Sequence, residues 1–171
     1  MSLSRGELER FTATLVESPA LWRDLVRHSP SGRVYEQLWD DEELNAWLIC
    51  WDRDHDTGFH DHESSSAVIA VIDGHVREDR LRLLGPPRSQ VAGPGASVYV
   101  PPSAIHRVLH WGSAPAVTIH AYSPPLRATG AYRVGPEGEL ERVPVSEGEE
   151  LRPQGALAGE PAYGLAASVS R

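Results

Sequence analysis

The amino-acid sequence predicts an all-β fold preceded by short helices. From Arg33 onward, β-forming residues occur in short runs at 33–39, 46–52, 66–72, 75–83, 96–100, 105–111 and 116–122. Turn-forming residues separate these runs. Asp73-Gly74 is typical of a type I′ hairpin turn, because both central residues of that turn need positive φ. Several short strands divided by Gly- and Pro-rich turns are typical of a β-sandwich or a barrel.

Two short helices are predicted before the strands. Apolar residues recur at near-helical spacing within 5–16, and Ser18-Pro19 offers an N-cap and a first-turn proline for a second helix ending near His28. Residues after about 135 are rich in Gly, Glu, Pro and Ala. The sequence thus predicts a helical segment packed on the barrel (1–30), a barrel (31–147) and a weakly ordered C-terminal tail (148–171).

Composition restricts the class of protein. A chain of 171 residues is long enough for one well-cored domain. A net charge of -8 argues against nucleic-acid binding, which needs a basic face. No apolar run approaches the length of a membrane span. The single cysteine, Cys50, excludes an intramolecular disulfide and lies in an apolar run, so we expect a buried core thiol in a cytosolic protein without a membrane partner.

Three histidines have the spacing of a metal site. His60 and His62 are two residues apart in a strand-like stretch, so their side chains leave the same face, and His106 lies in a second such stretch. Glu63 directly follows His62, and strand alternation sends it to the opposite side. The predicted ligand set is therefore three neutral nitrogens without a carboxylate, with further coordination positions open.

The absence of an acidic ligand has a chemical consequence. Three neutral ligands leave the charge of a divalent ion uncompensated, so the site favours an anion such as a thiolate, and metal coordination removes the proton from a thiol. Iron(II), one ion per chain, is the predicted metal, because an open histidine-rich site can hold a substrate together with dioxygen.

A second group of polar residues alternates along one later strand. Thr118, His120 and Tyr122 alternate with apolar residues, which places the three polar side chains on one face. They can form a hydrogen-bonded row in which His120 orients the Tyr122 hydroxyl toward the reacting oxygen. The alternative interpretation is that this face is exposed to solvent and that the row has no function.

Several segments make the chain resemble a known family. Residues 57–74 resemble the first motif of the cupin superfamily, and residues 95–106 resemble the second, although Ser66 stands where the common pattern has a ligand glutamate. Further matches, at Cys50-Trp51, His60-Asp61-His62, Ile105-His106-Arg107-Val108 and residues 118–125, resemble the cysteine dioxygenase (type I thiol dioxygenase) family over about residues 33–132.

The resemblance implies a fold and residue roles. It implies a small cupin barrel (a double-stranded β-helix or jelly roll), with iron on His60, His62 and His106. It also implies a Ser-His-Tyr relay at Thr118, His120 and Tyr122, in which threonine replaces serine. Family members of animal origin have a cysteine, cross-linked to the relay tyrosine, at the position of Ala67, so that cross-link cannot form here.

A substrate carboxylate would need a cationic partner. The family's substrate thiols carry a carboxylate, for which the planar guanidinium of arginine is a natural partner. Arg33 is the candidate, Arg127 and Arg53 are competitors, and each has a plain alternative as a surface arginine. The remaining histidines are predicted to be structural or exposed, with His55 also able to lie at the mouth of the site; they are His28, His55, His75 and His110.

These features together predict a non-haem iron(II) dioxygenase that converts a small thiol to its sulfinate with O₂. Cysteine, 3-mercaptopropionate and cysteamine all stay open as the substrate. One alternative is a three-histidine cupin oxygenase that cleaves a carbon acid such as a β-diketone. The other is a non-catalytic cupin that binds a metal or a small ligand, since a fold alone does not define a function. The sequence does not predict an oligomeric state.

Overall fold

The structure, a computed structural model, describes residues 2–137, 139–145 and 150–154. This part of the chain contains one α-helix, α1 (Arg5–Val16), and two short 3₁₀ turns, Pro19–Leu21 and Arg23–Leu25. The strands are β1 (Val34–Asp40), β2 (Asn45–Trp51), β3 (His60–Asp61), β4 (Ser66–Asp73), β5 (His75–Arg80), β6 (Arg88–Ala92), β7 (Ser97–Val100), β8 (His106–Trp111), β9 (Ala116–Ser123), β10 (Thr129–Val134) and β11 (Leu140–Val145).

The strands form two antiparallel sheets with an apolar core between them. One sheet has the strand order β1-β2-β9-β4-β7, and the other has the order β11-β10-β3-β8-β5-β6. The core draws side chains from both sheets, for example Ile69 and Val100 from the first and Val76 and Val108 from the second. The predicted all-β class with short N-terminal helices is confirmed.

Successive side chains of β9 and β2 point to opposite faces of the first sheet, so these two strands contribute to two different apolar layers. Val117 and Ile119 on β9, with Leu48 on β2, point to an outer apolar layer that also contains Leu8 and Leu15 of α1. The intervening residues of β9 point into the space between the sheets. The helix thus covers one face of the sheet and leaves the other face to the interior.

The start of the chain differs partly from the prediction. Helix α1 begins at a capping box in which Ser4 and Glu7 satisfy each other's backbone N–H groups. The predicted second helix through His28 is wrong, because only two three-residue 3₁₀ turns form there. The Trp22 indole donates to the Leu15 carbonyl at 2.9 Å, which folds this segment back onto α1. Val26 is already extended, so too few residues remain to nucleate a helix.

The predicted Asp73-Gly74 hairpin is also wrong. Strand β4 pairs with β7 and β9, whereas β5 pairs with β6 and β8, so Asp73-Gly74 carries the chain from one sheet to the other. Of these two residues only Gly74 has positive φ, at +64°. A Cβ on Gly74 would lie 2.7 Å from the Ala116 Cα, so the crossing depends on glycine for close packing as well as for conformation.

The later part of the chain contains more strand than expected. Strands β6, β10 and β11 lie outside the runs that the sequence predicts as strands. Of the predicted tail, only residues 150–154 are described, and the remainder of 148–171 lies outside the described residues.

Cys50 is 1% exposed, as expected for a core thiol. Within the described part of the chain, no helix has the length and apolar character needed to cross a membrane.

Candidate metal centre

Two neighbouring strands of the second sheet bring three imidazoles together. His60 on β3 is directly paired with His106, the first residue of β8. His62 follows β3 in a turn closed by the Ser65 N–H, which donates to the His62 carbonyl at 2.9 Å. The Nε2 atom of His62 lies 3.2 Å from Nε2 of His60 and 3.2 Å from Nε2 of His106. All three side chains are buried.

Hydrogen bonds on the far side of two rings select the nitrogens that face the centre. His60 Nδ1 lies 3.0 Å from the Gly58 carbonyl, which can only accept, so Nδ1 carries the proton. His106 Nδ1 lies 3.2 Å from Oε1 of Glu78 and donates to that carboxylate. Both Nε2 atoms are therefore unprotonated lone-pair donors, in the tautomer that metal-binding histidines use.

The arrangement of the three rings fits a cation. If His62 carries its proton on Nε2, this N–H can donate a hydrogen bond to the Nε2 atom of His60 or of His106, but not to both. The Nε2 lone pair of the other ring then has no partner. With the proton on Nδ1 instead, that buried nitrogen has no hydrogen-bond partner among the described residues. In either tautomer the cluster alone leaves a buried polar atom unsatisfied, which is unfavourable. A metal ion bound by the three Nε2 atoms would satisfy their three lone pairs, while the His62 proton would lie on Nδ1, which still has no partner among the described residues.

The three imidazoles are neutral at physiological pH. Burial lowers the pKa of His60 to about 4. Burial, together with the neighbouring imidazoles, lowers the pKa of His62 and of His106 well below the ordinary value. Neutral imidazole is the form that binds metals, so the protein environment prepares the site for a cation.

The described residues place no carboxylate among these donors. His60, His62 and His106 are the only described group whose ligand atoms come close enough to share an ion. The Glu63 side chain is 53% exposed and lies 3.3 Å from Arg142. It points away as expected, but for a different reason: β3 ends at Asp61, and Glu63 has a φ of +52° in the turn that follows.

Glu78 supports the centre and was missed by the sequence analysis. It is 3% exposed on β5, where its Oε1 accepts from Arg80 at 2.6 Å and its Oε2 accepts from Gln90 at 2.8 Å. Its Oε1 also accepts from His106, so one buried carboxylate orients a ring of the trio. Glu78 lies two residues after the core residue Val76 on the same strand, so strand alternation predicts that its side chain also points inward. That pattern does not identify the residue that Glu78 contacts.

Two of the three predicted relay residues lie together beside the trio. His120 Nδ1 is 3.2 Å from the Tyr122 hydroxyl oxygen, and the Tyr122 ring packs edge-on against His62 with centroids 5.0 Å apart. Burial raises the pKa of Tyr122 well above its ordinary value, so the phenol keeps its proton. Burial lowers the pKa of His120 to about 3, so this ring is neutral. The face is buried, and the solvent-exposed alternative is wrong.

Thr118 lies on the same face of β9 as His120 and Tyr122, but its hydroxyl has different hydrogen-bond partners. Its hydroxyl accepts from the Trp51 indole N–H at 2.8 Å and donates to the Ile49 carbonyl at 3.5 Å. Trp51 in turn stacks on His120, with ring centroids 6.1 Å apart. Thr118 therefore supports His120 through Trp51, and no described hydrogen bond joins its hydroxyl to the imidazole. His120 Nε2 is buried without a hydrogen-bond partner among the described residues.

The three candidate arginines have different surroundings. The Arg33 side chain is 1% exposed; its Nε donates to the Tyr35 hydroxyl at 2.5 Å, and its guanidinium lies 5.3 Å from the centre of the Trp51 ring. Arg127 lines a cavity of about 470 Å³ that reaches His62, and it pairs with Asp40 at 2.8 Å. Arg53 is exposed in the turn after β2.

The other histidines are structural or exposed, as predicted. His55 is buried and accepts from the Asp52 N–H at 2.9 Å, and His110 Nε2 donates to the Ala114 carbonyl at 2.7 Å. His28 and His75 are exposed.

The two-sheet barrel, with the histidine cluster in its interior, has the double-stranded β-helix fold, which is the fold of the cupins. A Thermus thermophilus protein matches the fold with a TM-score of 0.54 at 20% identity, covering 60% of this chain and 93% of its own. A Klebsiella pneumoniae protein with a double-stranded β-helix domain matches with a TM-score of 0.55 at 13% identity, covering 63% and 84%. These likenesses confirm the predicted double-stranded β-helix fold.

Sequence comparison then gives the family. The model of the family cysteine dioxygenase type I matches residues 6–134, so this chain belongs to that family. Cysteine dioxygenase type 1 of Danio rerio is 31% identical over 143 residues, covering 77% of this chain and 71% of its own. The Homo sapiens protein of the same name is 26% identical over 98 residues, and the match spans 49% of its length. The predicted family resemblance is confirmed.

Proposed function

We propose that this chain is an iron(II)-dependent dioxygenase that converts a small thiol to its sulfinate by inserting both atoms of O₂. The observation that carries the proposal is the buried trio of neutral imidazoles, with no carboxylate from the described residues among them, beside a protonated tyrosine. Family membership supports the reaction class. An iron(II) ion bound there, one per chain, would keep its full charge for a thiolate and bring sulfur and dioxygen together on one centre.

The chain's own residues have separate tasks in this proposal. His60, His62 and His106 hold the metal, while Gly58 and Glu78 fix the orientation of two of the rings. These contacts set the donor nitrogens before any metal arrives.

Tyr122 keeps a proton on its hydroxyl oxygen and can donate a hydrogen bond to the reacting oxygen atoms. His120 fixes the direction of that hydroxyl from 3.2 Å away. Trp51 and Thr118 hold the His120 ring in place.

Arg33 is the proposed partner for a substrate carboxylate. Its permanent charge lies inside the barrel and contributes to lowering the pKa of both His60 and His120, so the guanidinium acts on the centre electrostatically. Carboxylate docking there would hold a short thiol with its sulfur turned inward, which makes the reaction effectively intramolecular.

Oxygen-electrode turnover tests the proposed function. Iron-loaded protein is supplied separately with cysteine, 3-mercaptopropionate, cysteamine and a β-diketone, and the products are identified by mass spectrometry. We expect oxygen uptake with at least one thiol and a sulfinate that contains both atoms of ¹⁸O₂. Oxygen uptake with the diketone alone would support the carbon-acid oxygenase instead. Bound iron without oxygen uptake would support the non-catalytic cupin.

A further inference from the structure

The arginine proposed to bind substrate already binds a carboxylate of its own chain. Glu150 Oε1 accepts from the Arg33 backbone N–H at 3.0 Å and lies 3.3 Å from the Arg33 guanidinium. The same guanidinium nitrogen donates to the Leu151 carbonyl. Glu150 and Leu151 therefore contact Arg33, whose side chain is almost completely buried.

Two further contacts involve the segment 150–154, one within it and one with Gly58. Arg152 pairs with the second Glu150 oxygen at 2.8 Å. The Pro153 Cα and the Arg152 carbonyl lie so close to Gly58 that a Cβ on this glycine would be 2.7 and 2.8 Å from them. Gly58 is the residue whose carbonyl orients His60, so the segment lies against the support of the candidate metal centre as well as on Arg33.

Glu150 is an anion in this position. Burial alone would raise its pKa, but the hydrogen bond from the Arg33 backbone and the charge of Arg33 lower it below the ordinary value. A carboxylate-bearing substrate approaching Arg33 therefore meets a guanidinium that is already paired with a carboxylate, and it meets a like charge at the same place.

We propose that Glu150 is a specificity-determining residue: its carboxylate takes the place at Arg33 that a substrate carboxylate would take, and it disfavours thiols with a carboxylate relative to thiols without one. This inference rests on the proposed function. A mercapto acid must displace Glu150 from Arg33 or bind beside it, whereas cysteamine has no carboxylate and needs no contact with Arg33.

The variant Glu150→Gln tests this inference, because it removes the charge and keeps the shape. We expect the ratio of kcat/KM for 3-mercaptopropionate to that for cysteamine to rise about tenfold, mainly through a lower KM for the acid, as expected for the gain of one charge-assisted contact. The matched control is Glu141→Gln, which removes the charge of a partly exposed glutamate that pairs with Arg133 at 2.7 Å, and it should leave the ratio unchanged.

A double variant identifies the cation involved. Adding Arg33→Gln to Glu150→Gln should abolish the gain, because the released guanidinium is what attracts the acid. An unchanged or lower ratio of the two kcat/KM values in Glu150→Gln would overturn the inference and show that Glu150 has a structural role only. A gain that survives in the double variant would also overturn it. If Glu150→Gln does not fold, as judged by circular dichroism, Glu150→Asp retracts the carboxylate and is used with the same readout.

Anaerobic calorimetry separates this inference from the proposed function. If the iron-loaded protein oxidises no thiol, the proposed function fails, but binding of 3-mercaptopropionate and cysteamine can still be compared between Glu150→Gln and the unmodified protein. Tighter binding of the acid alone in the variant supports competition by Glu150. Equal or weaker binding of the acid rejects it.

Discussion

Nδ1 of His106 lies 3.2 Å from Oε1 of Glu78, so a buried carboxylate holds a candidate metal ligand without joining the donor set. The same oxygen accepts from Arg80, which shares the negative charge of Glu78. The ring is thus oriented by a charged partner, while the three donors at the centre stay neutral.

The first prediction concerns this pair. Glu78→Gln weakens the orientation of His106 and the basicity of its Nε2, so iron(II) affinity should fall about 10- to 100-fold. The affinity is measured by anaerobic titration in competition with a chelator. Glu141→Gln, a charge removal on the distant strand β11, is the control, and circular dichroism checks that the variant is folded. An unchanged affinity would show that Glu78 serves packing alone.

The second prediction concerns the three ligands. His60→Ala, His62→Ala and His106→Ala each remove one of the three proposed protein donors, so each should abolish iron retention after gel filtration, as measured by metal analysis. His75→Ala alters an exposed histidine and should keep its iron. Full iron occupancy in any of the three variants would remove that residue from the ligand set.

The third prediction separates turnover from metal binding. Tyr122→Phe removes the hydroxyl that we propose donates to the reacting oxygen but keeps the ring that packs on His62, so iron should remain bound while kcat falls about a hundredfold. Tyr99→Phe is the control, since this hydroxyl lies 3.2 Å from the Ser66 hydroxyl on another strand. Unchanged kinetics in Tyr122→Phe would refute the role of the phenol.

The fourth prediction uses the single thiol as a probe of the fold. Burial raises the pKa of Cys50 above its ordinary value, so at pH 8 the folded protein keeps this group as an unreactive thiol. A disulfide reagent such as DTNB should react slowly with the native protein and at once with protein unfolded in guanidinium chloride. Rapid labelling of the native protein would contradict the burial of Cys50 in the outer apolar layer of the first sheet.

The interior face of β9 was predictable because strand alternation is a local rule. His120 and Tyr122 followed from their spacing, and His60, His62 and His106 are close together as their spacing predicted. Thr118 shows the limit of the same rule, because alternation gives the face of a side chain but not its hydrogen-bond partner. Its hydroxyl is engaged by Trp51 from a neighbouring strand.

Contacts between distant segments could not be predicted from local patterns. Glu150 is 117 residues from Arg33, and nothing in either local sequence joins them. The Asp73-Gly74 dipeptide has the residues of a hairpin turn, yet strand pairing across the whole barrel determines that the chain changes sheets there. Propensity likewise favoured a helix after Ser18, and the packing of Trp22 on Leu15 prevented it.

The most direct measurement is a crystal structure of the protein loaded with iron(II) under anaerobic conditions. We predict a single ion bound by the Nε2 atoms of His60, His62 and His106, at about 2 Å as is usual for imidazole ligands, with its other positions open to solvent or thiol. An ion bound by a carboxylate, from Glu63, Glu78 or any other acid, or by fewer than these three rings, would contradict the account.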